Sequence, residues 1–124
     1  MLQERSIVQI ADNTGATLVR LFAVNGKNHR RSVGIGDTAM GSVIKSAPHG
    51  KITKGDKVMI LIVATNRKIQ RADGSSIKFS ANRAVVINKG TKEMLGTRVF
   101  GPVAREIREK EENKKIISLA EEVL

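Results

Sequence analysis

An all-β fold, a small barrel or sandwich, is predicted for this chain by three observations. Apolar runs of strand length recur along it, turn-forming Gly, Asp and Asn clusters separate them, and the longest run, "VMILIVA" at 58–64, is of strand length and apolar on both faces. A chain of 124 residues that is 40% hydrophobic is the size of one domain and holds a core without metals or disulfides.

The elements follow in order. Residues 6–11, "SIVQIA", read as a strand, and "DNTG" at 12–15 as a turn. Residues 16–24, "ATLVRLFAV", are a second strand, with Val19, Leu21 and Ala23 on one apolar face and Arg20 interrupting the other. Residues 25–37, "NGKNHRRSVGIGD", are a strongly basic loop. A third strand spans 37–47, where Gly41 permits a bulge or sharp bend. "PHGKITKGD" at 48–56 is a second basic loop, and 57–65 is a central strand buried on both faces.

"NRKIQRADGSSIKF" reads as a two-stranded ribbon turned by Asp73-Gly74, and 82–88 as a last strand. The tail changes character. Pro102 suits a first helical position, with Val103 and Ile107 on one face, and Ser118 with Glu121 reads as a capping box. Two short helices are expected there. One domain over 1–124 is expected, with a basic body at 1–92 and a C-terminal segment at 93–124.

Charge narrows the function. The chain carries 22 basic and 12 acidic residues, a net charge of +10. Residues 1–92 hold 16 basic and 5 acidic side chains, and residues 93–124 hold 6 and 7. Such an excess costs self-repulsion in the free protein and suits a polyanionic partner. The absence of Cys excludes a disulfide framework and a thiolate metal site. No segment is long and apolar enough to span a membrane, and the N-terminus lacks the pattern of a signal peptide. No membrane partner is expected.

Three chemical readings of the basic loops compete. Catalysis lacks partners: His29 and His49 both lie in basic loops, with no carboxylate to orient them. Asp12, Asp37, Asp56 and Asp73 all occupy turns, where aspartate accepts from nearby backbone amides. No His/Asp/Glu spacing fits a metal site, so no catalytic residue, no metal and no cofactor is expected. A nucleotide cradle fails as well. The third glycine after Gly34 and Gly36 comes too late for G-x-G-x-x-G, and neither "GK" is followed by Ser or Thr.

Nucleic-acid binding remains. Lys27, Arg30 and Arg31 share one loop, Lys51 and Lys54 the next, and Arg67, Lys68, Arg71 and Lys78 line the ribbon, all without an acidic neighbour in sequence. Aromatics make up 2% of the chain, namely Phe22, Phe79 and Phe100. That is too few for a base-stacking platform, and Phe22 and Phe79 are expected in the core. Phosphate and sugar contacts on a folded RNA are the expected mode. The alternative is a protein-interaction module whose tail docks a regulatory partner through a patch of Leu95, Val99, Phe100 and Ile107.

Several motifs then converge on one family. "QIADNTGA", "HRRSVGIGD", "GKITKGDKV", "RADGSSIKFSANRAVVIN", "GTRVFGPVAREIR" and "KIISLAEEVL" come in order over essentially the whole chain. The chain resembles the universal large-ribosomal-subunit protein fourteen family, in its bacterial or organellar form. The resemblance implies a five-stranded barrel with a projecting β-ribbon and a C-terminal helical region. It implies a structural, non-enzymatic constituent of the large subunit, bound to large-subunit rRNA and to small-subunit rRNA at an intersubunit bridge. Large-subunit proteins three and nineteen and the ribosome silencing factor are the implied protein partners. The silencing-factor surface carries over to Thr97, Arg98 and Lys115. The implied place is a cytoplasmic ribosome in a bacterium, or an organelle ribosome.

Overall fold

The central strand explains the architecture. In the computed structural model, which describes residues 2, 5–24, 32–48, 50, 52–88, 93–109 and 114–124, the run Lys57–Ala64 forms strand β4. All of it is buried except Lys57 and Met59. A strand this apolar needs cover on both faces, and the rest of the chain provides it.

One face looks into a closed barrel. Strands β1 (Ile7–Ile10), β2 (Ala16–Val24), β3 (Thr38–Ser46), β4 and β7 (Arg83–Ile87) pair in that order. All neighbours are antiparallel except β7 and β1, which close the barrel in parallel through Gln9↔Arg83 and Ile10↔Ala84. Val8, Val19, Leu21, Val43, Val58, Ile60, Ile62, Ala84 and Val86 fill the interior. Each fully buried side chain of this kind contributes about 1.5–3 kcal/mol relative to exposure. The closed five-stranded barrel and the all-β class agree with the sequence reading.

Gly41 is required where β2 and β3 approach. A Cβ there would stand 2.4 Å from Val19 Cγ1 and 2.8 Å from the Arg20 carbonyl oxygen. On the partner strand the register shifts between Leu21 and Ala23, so Phe22 has no residue opposite. Alternation with buried Val19 and Leu21 sets its ring on the outer face with Arg20, and it is 45% exposed. Phe22 is therefore not the core residue that its place in an apolar strand suggested, whereas Phe79 is buried.

The other face of β4 and β7 is covered by the tail. Leu61, Val63, Val85 and Ile87 pack with Met94, Val99, Val103, Ile107 and Ile116. The tail holds two short helical segments, as expected, but neither begins where the sequence suggests. Pro102 lies in strand β8 (Val99–Val103), which pairs in parallel with β9 (Ala120–Val123). Proline fits this two-stranded edge because its missing N–H is not needed by an interior ladder. A short 3-10 turn (Arg105–Glu109) and a six-residue helix α1 (Lys114–Leu119) connect the two strands. Val103 and Ile107 are both buried, but across a strand end and a 3-10 turn rather than one helical face. Ser118 is no N-cap: it closes α1, and its hydroxyl donates to the Lys115 carbonyl at 2.7 Å.

Candidate nucleic-acid and partner interface

The ribbon pairs β5 (Ile69–Gln70) with β6 (Ser76–Ile77) through Ile69↔Ile77 and Gln70↔Ser76. Its tip turns as the sequence requires. Gly74 has φ 89, and Asp73 Oδ1 accepts from the Ser75 N–H at 2.9 Å and the Ser75 hydroxyl at 2.6 Å. These bonds hold the exposed Asp73 carboxyl below its ordinary value. One residue beyond the pairing, Lys68 and Lys78 stand on opposite strands at the ribbon's base. Both are exposed, as is Arg67. None of the three has an ion pair with another described residue.

Arg71 departs from that pattern. Expected as an unpaired phosphate contact, it is held inside the chain. Its Nε donates to Glu106 Oε1 at 2.6 Å, Nη2 donates to Glu106 Oε2 at 3.3 Å, and Nη2 also donates to the Leu124 carbonyl. Burial raises the Glu106 carboxyl, but the Arg71 hydrogen bond, its own backbone N–H and the charges of Arg71 and Arg105 together bring it below its usual 4.5. A looser pair joins Arg105 to Asp73 at 3.9 Å. The ribbon is thus tied to the 3-10 turn, which fixes the direction in which Lys68 and Lys78 are presented.

Lys54 is the described member of the loop cations. Asp56 Oδ2 accepts from the Thr53 N–H at 3.0 Å and the Thr53 hydroxyl at 3.2 Å, and Gly55 takes φ 94. The carboxylate is occupied by its own turn, and Lys54 is left exposed. Lys27, Arg30, Arg31 and Lys51 lie outside the described residues, as do His29 and His49.

The remaining aspartates also serve turns. Asp37 Oδ2 accepts from the Gly34 N–H at 2.9 Å. Asp12 does more. It is 6% exposed, its Oδ1 accepts from the Thr14 N–H at 3.2 Å and hydroxyl at 2.6 Å, and its Oδ2 accepts from the Val86 N–H at 2.8 Å. Burial pushes its carboxyl up, and the three hydrogen bonds only partly offset this. Among the described residues no group of His, Asp or Glu is placed to hold a metal ion.

Thr97 and Arg98 are both exposed, and Asn13, in sequence an ordinary member of the "DNTG" turn, positions them. Asn13 Oδ1 accepts from the Thr97 N–H at 2.8 Å and the Arg98 N–H at 3.2 Å, while Nδ2 donates to Thr97 Oγ1 at 2.8 Å. Gly96 admits this approach, since a Cβ there would meet Asn13 Oδ1 at 2.7 Å. No local signal marks Asn13, because its partners lie 84 and 85 positions away. The register Val99↔Ala120 sets Arg98 beside the end of α1, which carries the exposed Lys115 one turn earlier. The apolar patch expected in this region is halved. Leu95 and Phe100 are exposed at 44% and 45%, but Val99 and Ile107 belong to the core.

Motifs from both ends of the chain therefore meet around one site, and a single family accounts for all of them. The family model described as ribosomal protein L14p/L23e matches residues 1–124, the full length of the chain. The chain belongs to the ribosomal protein L14p/L23e family, and so to the ribosome, as a structural component of the large subunit that binds rRNA and other large-subunit proteins.

Proposed function

We propose that this chain grips large-subunit rRNA by its loop and ribbon cations and meets small-subunit rRNA in an intersubunit bridge. The carrying observation is the ribbon base. Lys68 and Lys78 stand across a narrow two-stranded ribbon with Arg67 beside them, and no carboxylate of another described residue pairs with them. Like charges placed across strands destabilise a free protein, so their use lies with a polyanion. Lys27, Arg30, Arg31, Lys51 and Lys54 extend the same contact. Residues 1–92 face RNA in this reading, and residues 93–124 face proteins.

The protein partners in this reading are large-subunit proteins three and nineteen and the ribosome silencing factor. Thr97, Arg98 and Lys115 form the silencing-factor surface. Exposed Leu95 and Phe100 support docking in the same region. The location is a bacterial cytoplasmic ribosome or an organelle ribosome.

A filter-binding titration with a fragment of large-subunit rRNA tests the clamp. Arg71 is engaged by Glu106, so about six phosphates fall to Arg30, Arg31, Lys51, Lys54, Lys68 and Lys78. Log affinity against log salt should then slope at roughly −4 to −5.5. A slope near zero removes the clamp.

A further inference from the structure

The barrel wall has a charge pattern of its own. None of the five barrel strands contains an Asp or Glu. On the outer face, one row of register partners runs Ile7↔Arg20↔Ser42↔Lys57 across β1, β2, β3 and β4. Arg20 and Lys57 are exposed and stand two strands apart, roughly 10 Å. The pairing Leu18↔Lys45 is followed at once by Val19↔Val43, so β3 carries one extra residue there. This bulge brings exposed Lys45 to the same side as Arg20. Neither Arg20, Lys45 nor Lys57 has an ion pair with another described residue. Asp56, next in sequence to Lys57, is engaged by Thr53.

Two large apolar side chains stand among these cations. Ile7 and Phe22 are each 45% exposed. Phe22 alternates with buried Leu21 and so stands on the outer face with Arg20, and it has no residue opposite on β3. A cationic sheet face with a single projecting ring has the chemistry of a sugar–phosphate contact with one stacking point.

We infer that the outer face of β1–β4 is a further RNA-contact surface, in addition to the ribbon. Arg20, Lys45 and Lys57 take phosphates of the large-subunit rRNA, and the Phe22 ring stacks on an unpaired base or ribose. The inference rests on the rRNA-binding reading above and adds a face to it. Charge complementarity selects the occupant, because a wall with three cations and no carboxylate repels a basic protein and attracts a polyanion.

The test uses the full chain and a transcript of large-subunit rRNA, titrated over a range of salt. The double variant R20Q/K57Q should flatten the log–log salt slope by about 1.5. Phe22→Ala should weaken binding on the order of tenfold at every salt concentration, and Phe22→Tyr should restore it. Melting temperature checks that each variant folds, and the exposed R20Q/K57Q pair keeps the question open to refutation if Phe22→Ala does not. K68Q/K78Q, on the ribbon, is the comparison. If R20Q/K57Q and Phe22→Ala bind as wild type while K68Q/K78Q loses slope, the barrel face is overturned and the RNA reading stands. That result would also be the signature of a protein lying on this wall. If wild type itself shows no salt dependence, both ideas fall.

Discussion

The side chain of Asn13 grips Thr97 from both ends of one carboxamide, donating to its hydroxyl and accepting its backbone N–H, each at 2.8 Å. The first turn of the barrel thereby shapes a loop that lies 84 positions later. A residue that looks like turn punctuation determines how Thr97 and Arg98 are held at the surface.

Replacing Asn13 with Ala removes one donor and one acceptor that serves two N–H groups. Each net hydrogen bond contributes about 0.5–1.5 kcal/mol, and these are exposed, so a loss of about 1–2 kcal/mol is expected. The sharper readout is local. Amide hydrogen exchange at Thr97 and Arg98 should accelerate, and silencing-factor affinity should fall although Thr97, Arg98 and Lys115 are all intact. Unchanged exchange at both amides would show that Asn13 does not hold the loop.

What could be read from the sequence divides by range. The barrel strands were legible because strand period and turn chemistry are local signals. The four aspartates were legible as turn residues for the same reason, each bonding within three positions. Long-range pairing was not. Arg71 finds Glu106 at a separation of 35, so its neighbours in sequence say nothing of its neutralisation. The tail misled because Pro102, Ser118 and Glu121 each obey a local helix rule, while the parallel partners Val99 and Ala120 are joined only by the fold. Phe22 shows two local signals in conflict: its hydrophobicity suggests the core, while alternation with buried Val19 and Leu21 sets it on the outer face beside Arg20.

The Arg71–Glu106 pair gives a pH signature. The Glu106 carboxyl is held below its ordinary 4.5 in the folded chain, so its stabilising effect is present above 4.5 and is lost as pH falls through the lower folded value. Glu106→Gln should therefore be less stable than wild type at pH 6, and the gap should close as the pH falls below 4.5. Asp12 acts in the opposite sense. Its carboxyl is raised above 3.8, so its ionisation opposes folding and that penalty lifts on acidification, equally in both proteins. Melting temperatures of the two proteins between pH 6 and pH 3 check this. A gap that stays constant over the range would mean that Arg71 stabilises Glu106 no better than water does.

Ile116 tests whether RNA grip and partner docking reside in separate parts of the chain. It is 1% exposed and packs with Leu61, Val63, Val85 and Ile87 of the barrel, so it anchors α1 to the outer face of β4 and β7. A six-residue helix cannot persist by itself in water, and its position depends on this anchor. Ile116→Ala should cost about 2–5 kcal/mol, as a buried isoleucine truncated to alanine usually does. With the anchor gone, α1 and β9 should loosen first, carrying Lys115 away from Arg98. Lys54 lies between β3 and β4, and Lys68 and Lys78 beside β5 and β6; Arg71 would lose the Leu124 carbonyl but keep Glu106, so all three lysines should keep their places. The variant should therefore lose silencing-factor affinity while the salt slope of rRNA binding stays at the wild-type value, measured at a temperature where circular dichroism shows the barrel intact. If the slope and the partner affinity fall together, the tail is part of the RNA-binding surface, and the division between body and tail is wrong.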